Sequence, residues 1–147
     1  MSAKETREML RRSFDEEANS LKGDRAKISA YYDRYWSPEV IYHSNSAGDM
    51  NFEQAKQFMI AFLSAFGPKM KVNHVIVDED MAVVHFDWSG THNGTFMGIP
   101  ATGKKVNLKQ VMIFKMAGDK AREIWTYYDS LGIMRQLGAI PGPAAAK

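Results

Sequence analysis

The sequence predicts an α+β domain with helices packed on one face of an antiparallel sheet. Two observations carry this. Apolar residues recur at helical spacing up to Gly67-Pro68, and from there the period changes to two. The length of 147 residues suits a single domain, assigned to residues 1–138, with residues 139–147, rich in Pro and Ala, as a flexible tail.

The elements follow in order. Ser2 with Glu5 forms a capping box, and Leu10, Phe14, Ala18 and Leu21 then repeat on one face until Gly23, which predicts a helix from about Ala3 to Lys22. Asp24 caps a second helix whose face carries Ile28, Tyr31, Tyr32, Tyr35 and Trp36, ended by Ser37-Pro38. Glu39 to His43 reads as a short strand, and Ser44 to Asp49 as a turn. Asn51 with Gln54 repeats the capping box for a third helix bearing Phe52, Phe58, Met59, Phe62 and Phe66. Lys71–Val77 and Met81–Gly90 are strands of a hairpin turned at Asp78-Glu-Asp80. After a loop from Thr91 to Gly103, Lys104–Met116 is a long strand, and Ala117-Gly-Asp-Lys120 turns the chain into a last strand that ends near Asp129.

Composition narrows the chemistry. A formal charge of +2 and a pI near 8.8 arise from Lys and Arg scattered among nearly as many acids, so a nucleic-acid partner is not expected. Cysteine is absent, which removes disulfides, a thiolate nucleophile and Cys-based zinc sites and fits a reducing cytoplasm. The N-terminus is too polar for a signal peptide, and no apolar run reaches membrane-spanning length, so a cytoplasmic protein with no membrane partner is expected. The four histidines, His43, His74, His85 and His92, form no His-x-His or His-x-x-x-His spacing, so no metal site is expected. Gly94, Gly98 and Gly103 lack the strand-turn-helix frame of a dinucleotide fingerprint, and no Gly-x-Ser-x-Gly elbow exists. Ten Met, eight Phe, six Tyr and three Trp give apolar bulk suited to a deformable core or an apolar pocket.

What remains is acid/base chemistry in an apolar site. Glu123, Trp125, Tyr127 and Asp129 fall on one face of a strand, two aromatics leading to a carboxylate. Asp129 reads either as an acid/base group whose pKa is raised beside aromatic surface or as the N-cap of the helix that follows. Gln110 interrupts the apolar face of Val106, Leu108, Met112 and Phe114, and a buried amide there needs a side-chain partner or a ligand. His43 is placed to orient a polar substrate or to serve as a satisfied structural histidine. Lys104, Lys105, Lys109 and Lys115 read as a solvated face.

Two ordered motifs then point to a family. Thr91-His-Asn-Gly94-Thr-Phe96-Met-Gly98-Ile-Pro100-Ala-Thr102-Gly103-Lys104, followed by Glu123-x-Trp125-x-x-x-Asp129-x-x-Gly132-x-x-x-Gln136-Leu137-Gly138, resemble the SnoaL-like polyketide cyclases, or ester cyclases. The resemblance runs from the first helix to Gly138. It implies the cone-shaped fold of nuclear transport factor two and ketosteroid isomerase, in which a strongly curved antiparallel sheet and helices enclose an apolar pocket. It also implies that Asp129 is the acid/base of an intramolecular aldol ring closure, or of a proton abstraction next to a carbonyl, with no metal or cofactor. Trp125, Tyr127, Phe96, Tyr35, Phe58 and Phe62 are then expected as pocket wall, with Gln110, His92 and His43 as assisting polar groups. The expected ligand is an apolar, polyketide-like small molecule, and the expected assembly a homodimer or higher homo-oligomer. A ligand carrier of the same fold and an epoxide hydrolase-like enzyme are the alternatives.

Overall fold

The computed structural model describes residues 1–142; of the tail expected from residue 139 onward, residues 143–147 lie outside the described residues. The first helix, α1 (Ala3–Asn19), is capped as its sequence requires: Ser2 Oγ accepts from Glu5 N at 3.1 Å while the Glu5 carboxylate accepts from Ser2 N at 2.9 Å. It stops short of the expected Lys22, which adopts a left-handed φ of 44° that no α-helix can include. The second helix, α2 (Arg25–Tyr35), is capped by Asp24 and ends at Tyr35, so that Trp36, expected on its face, precedes Ser37-Pro38 outside the helix. Strand β1 (Trp36–Ser44) follows without a loop, and the stretch expected only as a turn also forms a short strand, β2 (Gly48–Met50), paired with β1 through Tyr42↔Met50 and His43↔Asp49.

Helix α3 (Phe52–Phe66) has its own capping box, with Asn51 Oδ1 accepting from Gln54 N at 2.9 Å. It ends on Gly67, whose left-handed φ of 51° suits a residue without Cβ. Four long strands then run back and forth: β3 (Lys69–Asp78), β4 (Met81–Thr91), β5 (Lys105–Ala117) and β6 (Lys120–Tyr128), and a short helix α4 (Ser130–Gln136) follows. The sheet order is β2-β1-β6-β5-β4-β3. All its pairings are antiparallel except β1 with β6, which is parallel. That junction refines the all-antiparallel expectation, because strand period says how a strand is buried and not which strand lies beside it.

One face of the sheet is packed against α1, α2 and α3. Along β4 it presents Val84, Phe86 and Trp88, along β5 Leu108, Met112 and Phe114, and along β6 Ile124 and Thr126, all buried. Phe14 of α1 meets Phe86 edge to face with ring centroids 4.8 Å apart, so the helix seats directly on the sheet. At the other end, a Cβ on Gly90 would stand 2.7 Å from the Phe66 carbonyl oxygen, so only glycine lets the end of α3 lie against β4.

Candidate functional site

Between the helices and the inner sheet face lie two adjoining cavities of about 40 Å³ each. One, the Trp88 lobe, is walled by Phe58, Phe62, Phe86, Trp88 and Phe96, with Tyr42, Gln110 and Tyr128 as its polar edge. The other, the Tyr32 lobe, lies between α1, α2 and the start of β1, against Leu10, Tyr31, Tyr32, Tyr35 and Trp36. Phe14, Glu17, Met59 and Met112 line both and form the partition between them. Each lobe has room for about two or three waters. A larger apolar guest requires the partition to move, and the two methionines in it are the side chains best able to do so.

Among the described residues Glu17 is the one carboxyl in either wall. It falls on the apolar stripe of α1, three residues after Phe14 and four before Leu21, so packing that stripe on the sheet carries the carboxyl inside. Burial pushes its pKa up to about 7, and the phenols of Tyr31 and Tyr32 beside it offset part of that rise. Those phenols are not equivalent. Tyr31 Oη donates to the Ser13 carbonyl at 2.8 Å, whereas Tyr32 Oη is buried, stands close enough to feel the Glu17 charge, and completes no hydrogen bond among the described residues. The sequence reading passed over Glu17. An acid interrupting a helix's apolar stripe, as Gln110 interrupts its strand, is the signal that marks it.

Gln110 has found side-chain partners. Trp88 Nε1 donates to its Oε1 at 3.1 Å and its Nε2 donates to Thr126 Oγ1 at 2.6 Å, which fixes the amide across β4, β5 and β6. One amide hydrogen is used in this way; the amide group carries a second. Phe58, Phe62 and Phe96 line the Trp88 lobe and Tyr35 the Tyr32 lobe, as pocket walls. His92 lines neither. It is fully buried behind Phe66, on whose ring it stacks with centroids 5.2 Å apart, and its Nδ1 accepts from Thr102 N at 3.2 Å. The proton is thereby assigned to Nε2, which has no partner among the described residues.

The last strand turns its expected site outward. Glu123, Trp125 and Tyr127 do share a face, but register pairs Phe114 with Ile124 and Met112 with Thr126, and directly paired residues point the same way. Ile124, Thr126 and Tyr128 therefore face the core, and Trp125 and Tyr127 face away from both lobes, Tyr127 with 52% of its surface exposed. His43 lies outside too. It stacks on Trp125 and bridges two acids, its Nδ1 2.7 Å from Asp49 and its Nε2 2.7 Å from Glu123. Those two hydrogen bonds raise its pKa above the ordinary histidine value. Asp129 is exposed and caps α4, its Oδ1 accepting from Gly132 N at 2.7 Å. It directly follows Tyr128, whose ring closes the Trp88 lobe and whose hydroxyl bonds Ser46 Oγ. Among the described residues no three of His, Asp or Glu are grouped as a metal site.

Solved structures with the same architecture are numerous. A protein from Jannaschia sp. CCS1 described as a candidate SnoaL-like polyketide cyclase is 26% identical, with a TM-score of 0.78 over 96% of this chain and 98% of that one. AclR from Streptomyces galilaeus, described as a candidate hydroxylase, superposes with a TM-score of 0.78 at 23% identity over 95% of this chain and 100% of its own, a likeness of fold alone. TsrD from Streptomyces laurentii is 25% identical, with a TM-score of 0.76 over 95% of this chain and 99% of that one. No curated protein matches the chain. The six-stranded curved, unclosed sheet around helices is the cone fold of nuclear transport factor two and ketosteroid isomerase. The family profile described as SnoaL-like polyketide cyclase matches residues 9–137, nearly the whole described chain, and the protein belongs to that family.

Proposed function

We propose that this protein rearranges an apolar, polyketide-like carbonyl compound by acid/base chemistry, as an intramolecular aldol ring closure or a proton shift next to a carbonyl. The observation that carries the proposal is the pair of aromatic lobes on the inner sheet face, where polar groups are few, chiefly Glu17, the Gln110 amide and tyrosine hydroxyls. Such a site folds a flexible substrate against rigid rings and excludes water from the reacting carbons. Met59, Met70 and Met112 line the space and give way as the substrate fills it. The family motif supplies Asp129, the exposed cap of α4 that follows the lobe-lining Tyr128 in sequence, as a proposed acid/base group. A homodimer formed through the outer sheet face, where Ile41, Ile76 and Tyr127 are exposed, belongs to the same proposal.

The test is isomerisation of a linear aryl β-keto ester, with products separated by chromatography and weighed by mass spectrometry. A cyclised product of unchanged mass is expected, whereas tight binding without conversion would leave a ligand carrier. Asp129→Asn is the informative variant, since Asn caps a helix as well as Asp and only the proton-transfer capacity is lost. If Asp129 is the base, turnover falls about a hundredfold or more with stability unchanged. Undiminished turnover would remove it from the chemistry.

A further inference from the structure

Three features of the partition converge. Among the described residues the only carboxyl lining either lobe is Glu17, and it lines both, so a guest filling the joined cavity meets it midway along its length. Beside it the Tyr32 hydroxyl is buried, only 1% of the residue being exposed, and it completes no hydrogen bond among the described residues. The acceptor nearest to it is the Glu17 carboxylate, which it approaches without completing a hydrogen bond, and a ligand oxygen entering the Tyr32 lobe would offer that hydroxyl a full acceptor. The other hydroxyls lining that lobe are already engaged: Tyr31 Oη donates to Ser13 O, Ser13 Oγ to Leu10 O at 2.9 Å, and Tyr35 Oη to the Glu16 carboxylate at 2.8 Å.

We propose that Glu17 is a catalytic acid/base residue and that Tyr32 is its oxygen-binding partner, the Tyr32 lobe receiving the carbonyl end of the substrate. The proposal rests on the acid/base reading above and assigns its reacting end. In the forward step a Glu17 carboxylate oxygen takes the proton from the carbon next to the carbonyl. The C–H electron pair becomes the enolate double bond, and the carbonyl π pair moves to oxygen, which accepts the Tyr32 O–H. The return of the proton from the Glu17 carboxyl to carbon, or attack of the enolate carbon on a second carbonyl with that proton passing to the new alkoxide, regenerates the starting state. Burial sets the carboxyl so that both its forms are populated near neutral pH, which is what a group that takes and returns a proton requires. The phenol gains strength as a donor where water is excluded.

The experiment follows deuterium uptake by 2-tetralone, a bicyclic ketone, in D2O by NMR, using the full chain. Binding of the same ketone is read separately from the fluorescence of Trp36 and Trp88. Wild-type protein is expected to exchange the ketone's α-hydrogens above the buffer rate, Glu17→Gln to bind it within about threefold but exchange at least about a hundredfold more slowly, and Tyr32→Phe to lose about tenfold or more. Glu17→Asp, one methylene shorter, should recover part of the rate. A wild type that binds the ketone and exchanges none overturns the acid/base reading, and this inference with it. A Glu17→Gln variant that exchanges as fast as wild type overturns the inference alone, and the reading then falls to Asp129. Because Glu17→Gln could fail to fold, a ¹³C NMR titration of the wild-type glutamate carboxyls gives an independent check. A Glu17 carboxyl that titrates at the free-glutamate value with and without the ketone overturns the role.

Discussion

At Asp129 a single side chain carries two candidate jobs that chemistry can separate. Its carboxylate accepts from Gly132 N and satisfies one of the free donors at the start of α4. Ala in its place removes that acceptor, so Asp129→Ala is expected to lower stability by about 1 kcal/mol, while Asp129→Asn stays within a few tenths, both read from urea unfolding. Equal losses from the two variants would mean that charge, and not the cap, is what matters there. Glu17 presents the opposite case. It has no capping duty, it lies on a stripe that is otherwise apolar, and its cost of burial is retained in the folded state. That combination is uncommon in side chains that serve packing alone.

At the scale of elements, polar contacts join the helices to one another and the sheet's first strand to its last. Lys56 of α3 is nearly buried, with 9% of its side chain exposed, and its ammonium donates to Asp33 of α2 at 2.6 Å and to Ser29 at 3.1 Å above the Phe52 ring. Removing the acid leaves a buried cation with a single neutral partner. Asp33→Ala is therefore expected to cost roughly 1–3 kcal/mol, whereas Lys56→Met, which removes charge and need together, should be close to neutral in thermal unfolding. On the outer face His43 does the corresponding work for the parallel junction, tying β2 through Asp49 and β6 through Glu123 to its own strand. The tie is strongest when the imidazole is protonated.

For the whole molecule, Glu17 and His43 make stability depend on pH in the same direction. Glu17 has its pKa raised from 4.5 to about 7, so the folded protein keeps a proton the unfolded chain releases, and stability falls as pH rises across that interval. The full cost, up to about 3 kcal/mol, stands above pH 7. His43 has a raised pKa, so its contribution is complete below the ordinary histidine value of 6.5 and is lost as pH rises through the raised one. The groups facing Glu17 are the phenols of Tyr31, Tyr32 and Tyr42, which stay protonated across this range. The urea midpoint is therefore expected to fall between about pH 5 and pH 8. Glu17→Gln should raise it at pH 8 while changing little at pH 4, and His43→Gln should flatten the upper part of the slope. A midpoint that rises over this range would contradict both assignments.

The sequence by itself determined the helix starts at Ser2, Asp24 and Asn51, the stop at Gly67 and the alternating burial of the long strands. Each depends on hydrogen bonds or side-chain spacing within about four residues. It also carried the motifs of the family, and Gln110 announced itself as an amide in an apolar row. The partnerships were decided only by the tertiary structure. That β1 lies parallel to β6, that Trp125 and Tyr127 look outward with His43, and that Glu17 closes over a cavity all depend on residues far apart in the chain. A strand's period fixes that its side chains alternate, but which set faces the core is settled by the neighbouring strand's register and the helices laid across it.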